Sequence, residues 1–275
     1  MKLVVWWFKG VLLYALGVRK LIEITLLTLL IVSCASIAPQ PLRVLVYNIH
    51  AGKDAKGVDN LQRVADLIKT SRADIVLLQE VDIRTTRSGN VDQLETLTRL
   101  TGLHGVFGKS LDYQGGDYGI AILSRWQISG KEVVPLRIEP PQPRAGGSLE
   151  PRIALVAETH GLTVMNTHFD ASREDTWRRQ EVEELLRSAA RRKPLLTGGD
   201  FNSEPGSAIH ARMIEAGFRD AWEDCGGGPH LTYPADTPVK RIDYLFLAGG
   251  ARCAAAEVIE TEASDHRPVL LTVTP

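Results

Sequence analysis

No apolar run in this sequence is long enough to cross a bilayer as a helix. The uncharged stretch Ile24–Val32 falls far short of the ~20 residues that such a span needs. Cysteine is scarce, at three in the chain, and no two histidines or cysteines stand close together. Zinc sites usually bring such pairs, so zinc chemistry is disfavoured. Positive charge is also lacking. Residues 1–33 hold Lys2, Lys9, Arg19 and Lys20 against Glu23, a net of +3, so a total of −1 leaves −4 for the remainder. That balance does not suit tight, salt-sensitive binding along a phosphate backbone. It argues for a small or lipid-bound substrate, and no basic groove edged with aromatics is visible. Repeats, low-complexity segments and linkers are absent after Pro41.

What is present begins with an address. Arg19-Lys20, the Ile24–Val32 run and the small residues after it have the form of a signal-peptide core. Ile31-Val32-Ser33-Cys34-Ala35 is shaped like a bacterial lipobox, with lipidation expected at Cys34. An uncleaved anchor is the alternative. Initiation at Val18 would make the signal more compact. The expected organisation is a signal or anchor over 1–33, a short tether over 34–41 and one domain over 42–275. The protein is then expected in a bacterial cell envelope, membrane-anchored and facing the periplasm or exterior. Cys225 and Cys253 could pair in such a compartment, but their spacing does not decide it.

Apolar residues make up 44% and charged residues 24% of the chain, which is ordinary globular usage. Short runs rich in Val, Ile and Leu predict strands at Val44–Ile49, Ile75–Gln79, Gly119–Leu123, Ile153–Glu158, Thr163–Thr167, Leu195–Thr197, Ile242–Leu247, Ala256–Ile259 and Val269–Val273. Helical periodicity appears at Asp59–Thr70, Val91–Thr101, Ser172–Ala190 and Ser207–Ala216, with Asp59 and Ser207 as N-caps. Arg191-Arg192-Lys193 closes a helix and complements its dipole. Many strands with interspersed helices predict an α/β layered domain with two packed sheets.

Polar residues gather where these strands end, which is where α/β proteins collect reactive groups. Asn48 and His50 close one strand, Glu80 another, and Asn166 and His168 a third. Asp200 and Asn202 follow Gly198-Gly199, and Asp243 lies inside an apolar strand, where a charge is costly unless paired. Asp265 and His266 precede the last strand. Together they supply oxygen ligands for a hard cation, amides to orient a phosphate and imidazoles for proton transfer. Mg²⁺ is typically held by one or two carboxylates plus water and substrate oxygens.

Seven segments carry a closer likeness: Tyr47-Asn48-Ile49-His50, Leu78-Gln79-Glu80-Val81, Tyr118 to Ser124, Asn166-Thr167-His168, Gly199-Asp200-Phe201-Asn202, Arg241-Ile242-Asp243-Tyr244 and Ser264-Asp265-His266-Arg267-Pro268. In kind and order they resemble the motifs of the endonuclease/exonuclease/phosphatase (DNase I-like) family, over about residues 42–275. The resemblance implies a four-layered α/β/β/α sandwich of two mixed sheets, with the site at one end. It implies Mg²⁺, with Mn²⁺ as substitute, on Glu80 with help from Asn48 and Asp265. It further implies that Asp200 orients or deprotonates water and Asn202 places that water. His266, held by Asp243, touches the phosphate or acts as base, and His168 stabilises phosphoryl or leaving oxygens. Where His50 and Ile120 stand, some family branches carry other residues.

The function expected is a metal-dependent phosphodiesterase or phosphatase, tethered outside the cytoplasm and monomeric. A surface endonuclease acting on DNA or RNA is the second reading, and a non-catalytic binding module the third. Arg84, Arg87, Asp92 and Gln93 are read as a solvated loop and helix start, with a head-group pocket as the alternative. Arg152 is read as a surface salt bridge, with pairing to a phosphate as the alternative, and Trp177 and Trp222 as packing residues.

Overall fold

A computed structural model describes residues 40–141 and 150–275. The signal or anchor and Cys34 lie outside the described residues. Twelve strands are seen among those described: β1 (Leu42–Asn48), β2 (Ile75–Ile83), β3 (His104–Tyr113), β4 (Gly116–Ser124), β5 (Ile128–Leu136), β6 (Arg152–Thr159), β7 (Leu162–His168), β8 (Leu196–Asp200), β9 (Arg219–Asp220), β10 (Asp243–Leu247), β11 (Arg252–Val258) and β12 (Val269–Thr274). Five α-helices join them: α1 (Leu61–Ser71), α2 (Gln93–Thr101), α3 (Thr176–Arg192), α4 (Ala208–Glu215) and α5 (Ala221–Cys225). The strands form two six-stranded mixed sheets, ordered β11-β12-β1-β2-β4-β3 and β5-β6-β7-β8-β10-β9.

Period-two alternation in the central strands builds the layers. On β1, Val44 and Val46 face the other sheet, while Leu45 and Tyr47 face α1. On β6, Ile153, Leu155 and Ala157 enter the same inter-sheet core, while Ala154 and Val156 pack under Val182 and Leu185 of α3. Both faces of these strands are buried, which is why they read as continuous apolar runs. Three cores therefore separate four layers, and the α/β/β/α sandwich expected is the fold found.

The unforeseen strands are β3, β5 and β9, all at sheet edges. Edge strands face water, so their sequences carry charge and proline in place of an apolar run. His104–Tyr113 and Ile128–Leu136 do so through Lys109, Asp112, Lys131, Glu132 and Pro135. Helix starts shift slightly. Asn60 is the N-cap of α1, and Asp59 pairs instead with Lys53 at 2.8 Å. Ser207 does cap α4, accepting from His210 N–H. Arg191 and Arg192 lie in the last turn of α3 as expected.

Two irregularities aim side chains at one end of the sandwich. The β2–β4 pairing slips between Leu78 and Val81, a bulge in which Glu80 takes φ 57°. Such a bulge turns a side chain out of the alternating pattern. Asn166 of β7 holds it from the facing sheet, donating to the Leu78 and Ala121 carbonyls at 2.9 Å each. Gly199 has φ 143°, and a Cβ there would stand 1.9 Å from the Thr167 carbonyl oxygen. Only glycine fits, and β7 and β8 close tightly beside the site.

Cys225 and Cys253 form a disulfide, tying α5 to the edge strand β11. Among the described residues no helix is long and apolar enough to cross a membrane.

Candidate active site

Strand register assembles the centre. Asp200 ends β8, with His168 of β7 opposite it on one side and Asp243 of β10 on the other. Asn48, at the end of β1, reaches across from the other sheet. Its amide donates to Asp200 Oδ2 at 3.1 Å and to Glu80 Oε1 at 3.2 Å, and its own oxygen accepts from His50 N–H. His168 Nε2 and His266 Nε2 approach the same Asp200 Oδ2 at 3.6 and 3.7 Å. The other Asp200 oxygen accepts from Asn202 N–H at 2.9 Å.

His266 Nδ1 and Asp243 Oδ2 are 3.0 Å apart. Asp200 and Asp243 are each 1% exposed, so neither charge is screened by water. Burial first, and then Asp243, raises the Asp200 carboxyl above the usual carboxylate range. Burial works against charge on His266, but Asp243, Asp200 and Asp265 together raise its pKa. With a carboxylate facing each ring nitrogen, the imidazole is held as a two-sided donor. The ligand atoms of Asp200, Asp243 and His266 lie within 4.8 Å of one another. His266 supplies the positive charge there itself.

These groups floor a cavity of about 800 Å³. Glu80, His168, Asp200, Asn202, Asp265 and His266 line it; Asn48 and Asp243 stand buried behind. All eight residues expected from the sequence are thus brought to one end of the sandwich. Glu80 and Asp265 are half-buried on the cavity wall. Glu80 accepts from Asn48 and, among the described residues, takes part in no salt bridge. Among the described residues, the basic side chain nearest Asp265 is His50, with its Nδ1 3.8 Å away. Two oxygen donors with so little counter-charge fit a hard divalent cation.

Several wall residues were not foreseen. Arg152 is only 3% exposed and pairs with Glu150 at 2.9 Å, which corrects the surface reading. Among the described residues, its side-chain Nε and one Nη have no hydrogen-bond partner. Arg178, hidden in the pattern of α3, donates to the Asp170 and Ser172 carbonyls and braces the loop after His168. Glu181 accepts from Asp170 N–H in the same brace, and burial pushes its carboxyl up to about 7. The Tyr233 ring lies 4.7 Å from that of His266, tilted by 48°.

The loop after β2 divides. Arg87 lines the cavity, locked by Asp82 at 2.8 Å and lying over Tyr113 and Tyr118. Arg84 pairs with Asp92, which caps α2, and Gln93 is buried, donating to the Ala51 carbonyl. Trp222 packs on the inter-sheet core as expected.

A fold of two mixed sheets with paired carboxylates and imidazoles at one end defines a class of phosphoester hydrolases. Residues 45–266 match the model of the Endonuclease/Exonuclease/phosphatase family, and the chain belongs to it. The chain is 27% identical over 241 residues to the uncharacterized protein YbhP of Escherichia coli K12, covering 82% of this chain and 94% of that one. Solved structures share the fold, two of them as follows. One is an endonuclease/exonuclease/phosphatase from Beutenbergia cavernae, 23% identical, covering 86% of this chain and 72% of that one, with TM-score 0.65. The other is the Bacteroides thetaiotaomicron mannosyl-6-phosphatase Bt3783, 18% identical, covering 85% and 100%, with TM-score 0.69.

Proposed function

We propose that the protein is a divalent-cation-dependent phosphodiesterase or phosphatase that acts outside the cytoplasm on small or lipid-borne phosphoesters. One observation carries this reading. A single carboxylate oxygen, Asp200 Oδ2, faces Asn48, His168 and His266 at the floor of a cavity walled by Glu80 and Asp265.

In this reading Asp200 accepts the proton of the attacking water while Asn202 fixes where that water sits. The water oxygen bonds to phosphorus, and the bond from phosphorus to the leaving oxygen breaks. His266, oriented by Asp243, donates to the phosphoryl oxygens, and His168 donates to the oxygens that gain charge. Glu80 and Asp265 would hold Mg²⁺ or Mn²⁺, with Asn48 setting the angle of Glu80. Bound there, the ion would neutralise charge on the phosphate.

The cavity favours a compact substrate over a polynucleotide. Asp112, Glu150, Asp175 and Glu204 join the three site carboxylates on its wall, against Arg87, Arg152, Arg173, Arg178 and Lys240. A run of phosphates would meet acids as often as bases. The signal-like segment, the lipobox at Cys34 and the Cys225–Cys253 disulfide support an envelope location and tethering at a membrane.

The test uses the full chain with Mg²⁺, with and without chelator, and His266→Ala alongside. Expected is chelator-sensitive cleavage of a nitrophenyl phosphodiester, absent from the variant, with no nicking of supercoiled plasmid. Nicking that the variant loses would transfer the reading to an endonuclease. Full cleavage by His266→Ala would sink both.

A further inference from the structure

Arg87 lines the cavity, yet the reaction above gives it no part. Its Nε and Nη2 donate to the two oxygens of Asp82, at 2.8 Å each. A guanidinium has further N–H groups in the same plane. Nη1 makes no hydrogen bond among the described residues, and the side chain is 29% exposed. Balancing the charge of Asp82 therefore takes one edge of the guanidinium only. The second edge, from Nη1 to the outer N–H of Nη2, has the spacing of two oxygens on one oxyanion.

The surroundings hold that edge still. Asp82 is fully buried, its carboxylate also accepts from Thr85 Oγ1 at 2.6 Å, and its N–H donates to Gln93 Oε1. The guanidinium carbon stands 4.7 and 5.2 Å from the ring centroids of Tyr113 and Tyr118. Gln114, in the β3–β4 turn, accepts from Arg87 N–H with Oε1 and from Thr86 N–H with its carbonyl, at 2.9 and 3.0 Å. Loop and hairpin brace each other, so Arg87 gives up little freedom when it takes a ligand. The other cations on the wall differ. Arg152 pairs with Glu150 and is 3% exposed, and Arg178 donates to two backbone carbonyls. Arg173 and Lys240 are exposed on loops, where binding must first order the side chain. Of these five, Arg87 is the one both fixed and open.

We propose that Arg87, on its support of Asp82, Tyr113 and Tyr118, is a specificity subsite for a second oxyanion of the substrate. That group, a carboxylate or a further phosphate, stands beside the phosphate that reacts. The inference rests on the hydrolase reading above and deepens it by naming the substrate class. Asp82 and Glu80 lie on the same strand, β2, so subsite and reacting groups are built on one element. A single fixed fork suits a compact substrate with one extra acidic group, and the mixed charge of the rest of the wall does not suit a chain of phosphates.

The test compares three nitrophenyl phosphodiesters, whose second arm is ethyl, carboxyethyl or phosphonoethyl, with the full-length protein and Mg²⁺. At least one acidic ester should exceed the ethyl ester in kcat/KM by about tenfold or more, the worth of a hydrogen bond to a charged group. Which acidic arm gains tells carboxylate from phosphate. Two variants read the residue. Arg87→Lys keeps a cation beside Asp82 without the fork, and Arg87→Gln combined with Asp82→Asn removes both charges. In each, the ratio of acidic to ethyl ester should fall towards one. Equal kcat/KM for all three esters in the wild type would overturn the proposal and leave the hydrolase reading standing. A ratio kept by both variants would move the contact to Arg173 or Lys240, and overturn it as well. Loss of all turnover in both variants would make Arg87 a support of the fold, which also counts against the subsite. No cleavage of any ester by the wild type would remove the proposed function together with this inference.

Discussion

Asp200 and Asp243 sit opposite each other on β8 and β10, and two ionised carboxylates so placed repel. His266, bonded to one and facing the other, relieves that repulsion. Asp243 does not line the cavity, so the role proposed for it is to orient the ring. Asp243→Asn should therefore lower kcat about 10²- to 10⁴-fold, the usual worth of a positioned acid–base group, with KM near wild type. Steady-state kinetics check this, and kcat within a few-fold of wild type would remove the role. Glu181 gives a separate prediction about stability. Its carboxyl is pushed up to about 7 in the fold, against 4.5 for the free side chain. The folded state therefore holds the proton more tightly. The cost of ionising Glu181 is absent below pH 4.5, grows from there to pH 7, and is complete above it. At 1.36 kcal/mol per unit the cost is on the order of 3 kcal/mol. Glu181→Gln should raise the melting temperature at pH 8 and leave it nearly unchanged at pH 4.5. Thermal melts across that range decide it.

At the scale of elements, the bulge in β2 is the feature on which the site turns. It exists because Asn166, from the other sheet, takes up the Leu78 and Ala121 carbonyls near the pairing slip. Asn166→Ala would leave both buried and unpaired, at about 1–3 kcal/mol each. The bulge should then relax and Glu80 turn away. Denaturant unfolding should show the loss of stability, and calorimetric titration a weaker affinity for the divalent ion. Unchanged affinity in a destabilised variant would confine Asn166 to packing. The sequence marks Asn166 as a polar residue in an apolar strand, but which carbonyls it serves depends on how the two sheets face. The edge strands β3, β5 and β9 were hidden for the opposite reason. One side of each meets water, so local hydrophobicity carries no trace of it.

For the whole molecule, charge and cavity shape bear on the proposed preference for a small substrate. The chain after residue 33 carries −4, and its cavity mixes acids with bases. Hydrolysis of a small diester should change less than about twofold between 50 and 200 mM salt. A protein with six to ten phosphate contacts loses about 10³–10⁵ in affinity over that interval. Activity that collapses with salt would point to a polyanionic substrate instead.

The layered fold was written into the chain. Continuous apolar runs at β1 and β6, and apolar stripes on α1 and α3, are local properties that demand two buried faces per central strand. The eight expected residues stood out as a set through their ordered motifs and family likeness more than singly, and the fold brings them to one end of the sandwich. Tertiary structure alone decided the rest. Cys225 pairs with Cys253 because α5 docks on β11. Arg152 becomes a buried wall residue beside Glu150. Arg87 reaches the cavity over Tyr113 and Tyr118 while its neighbour Arg84 does not. These outcomes depend on which distant segments meet. Sequence periodicity records how much of a residue is buried, but a contact's partner is set only when the sheets pack.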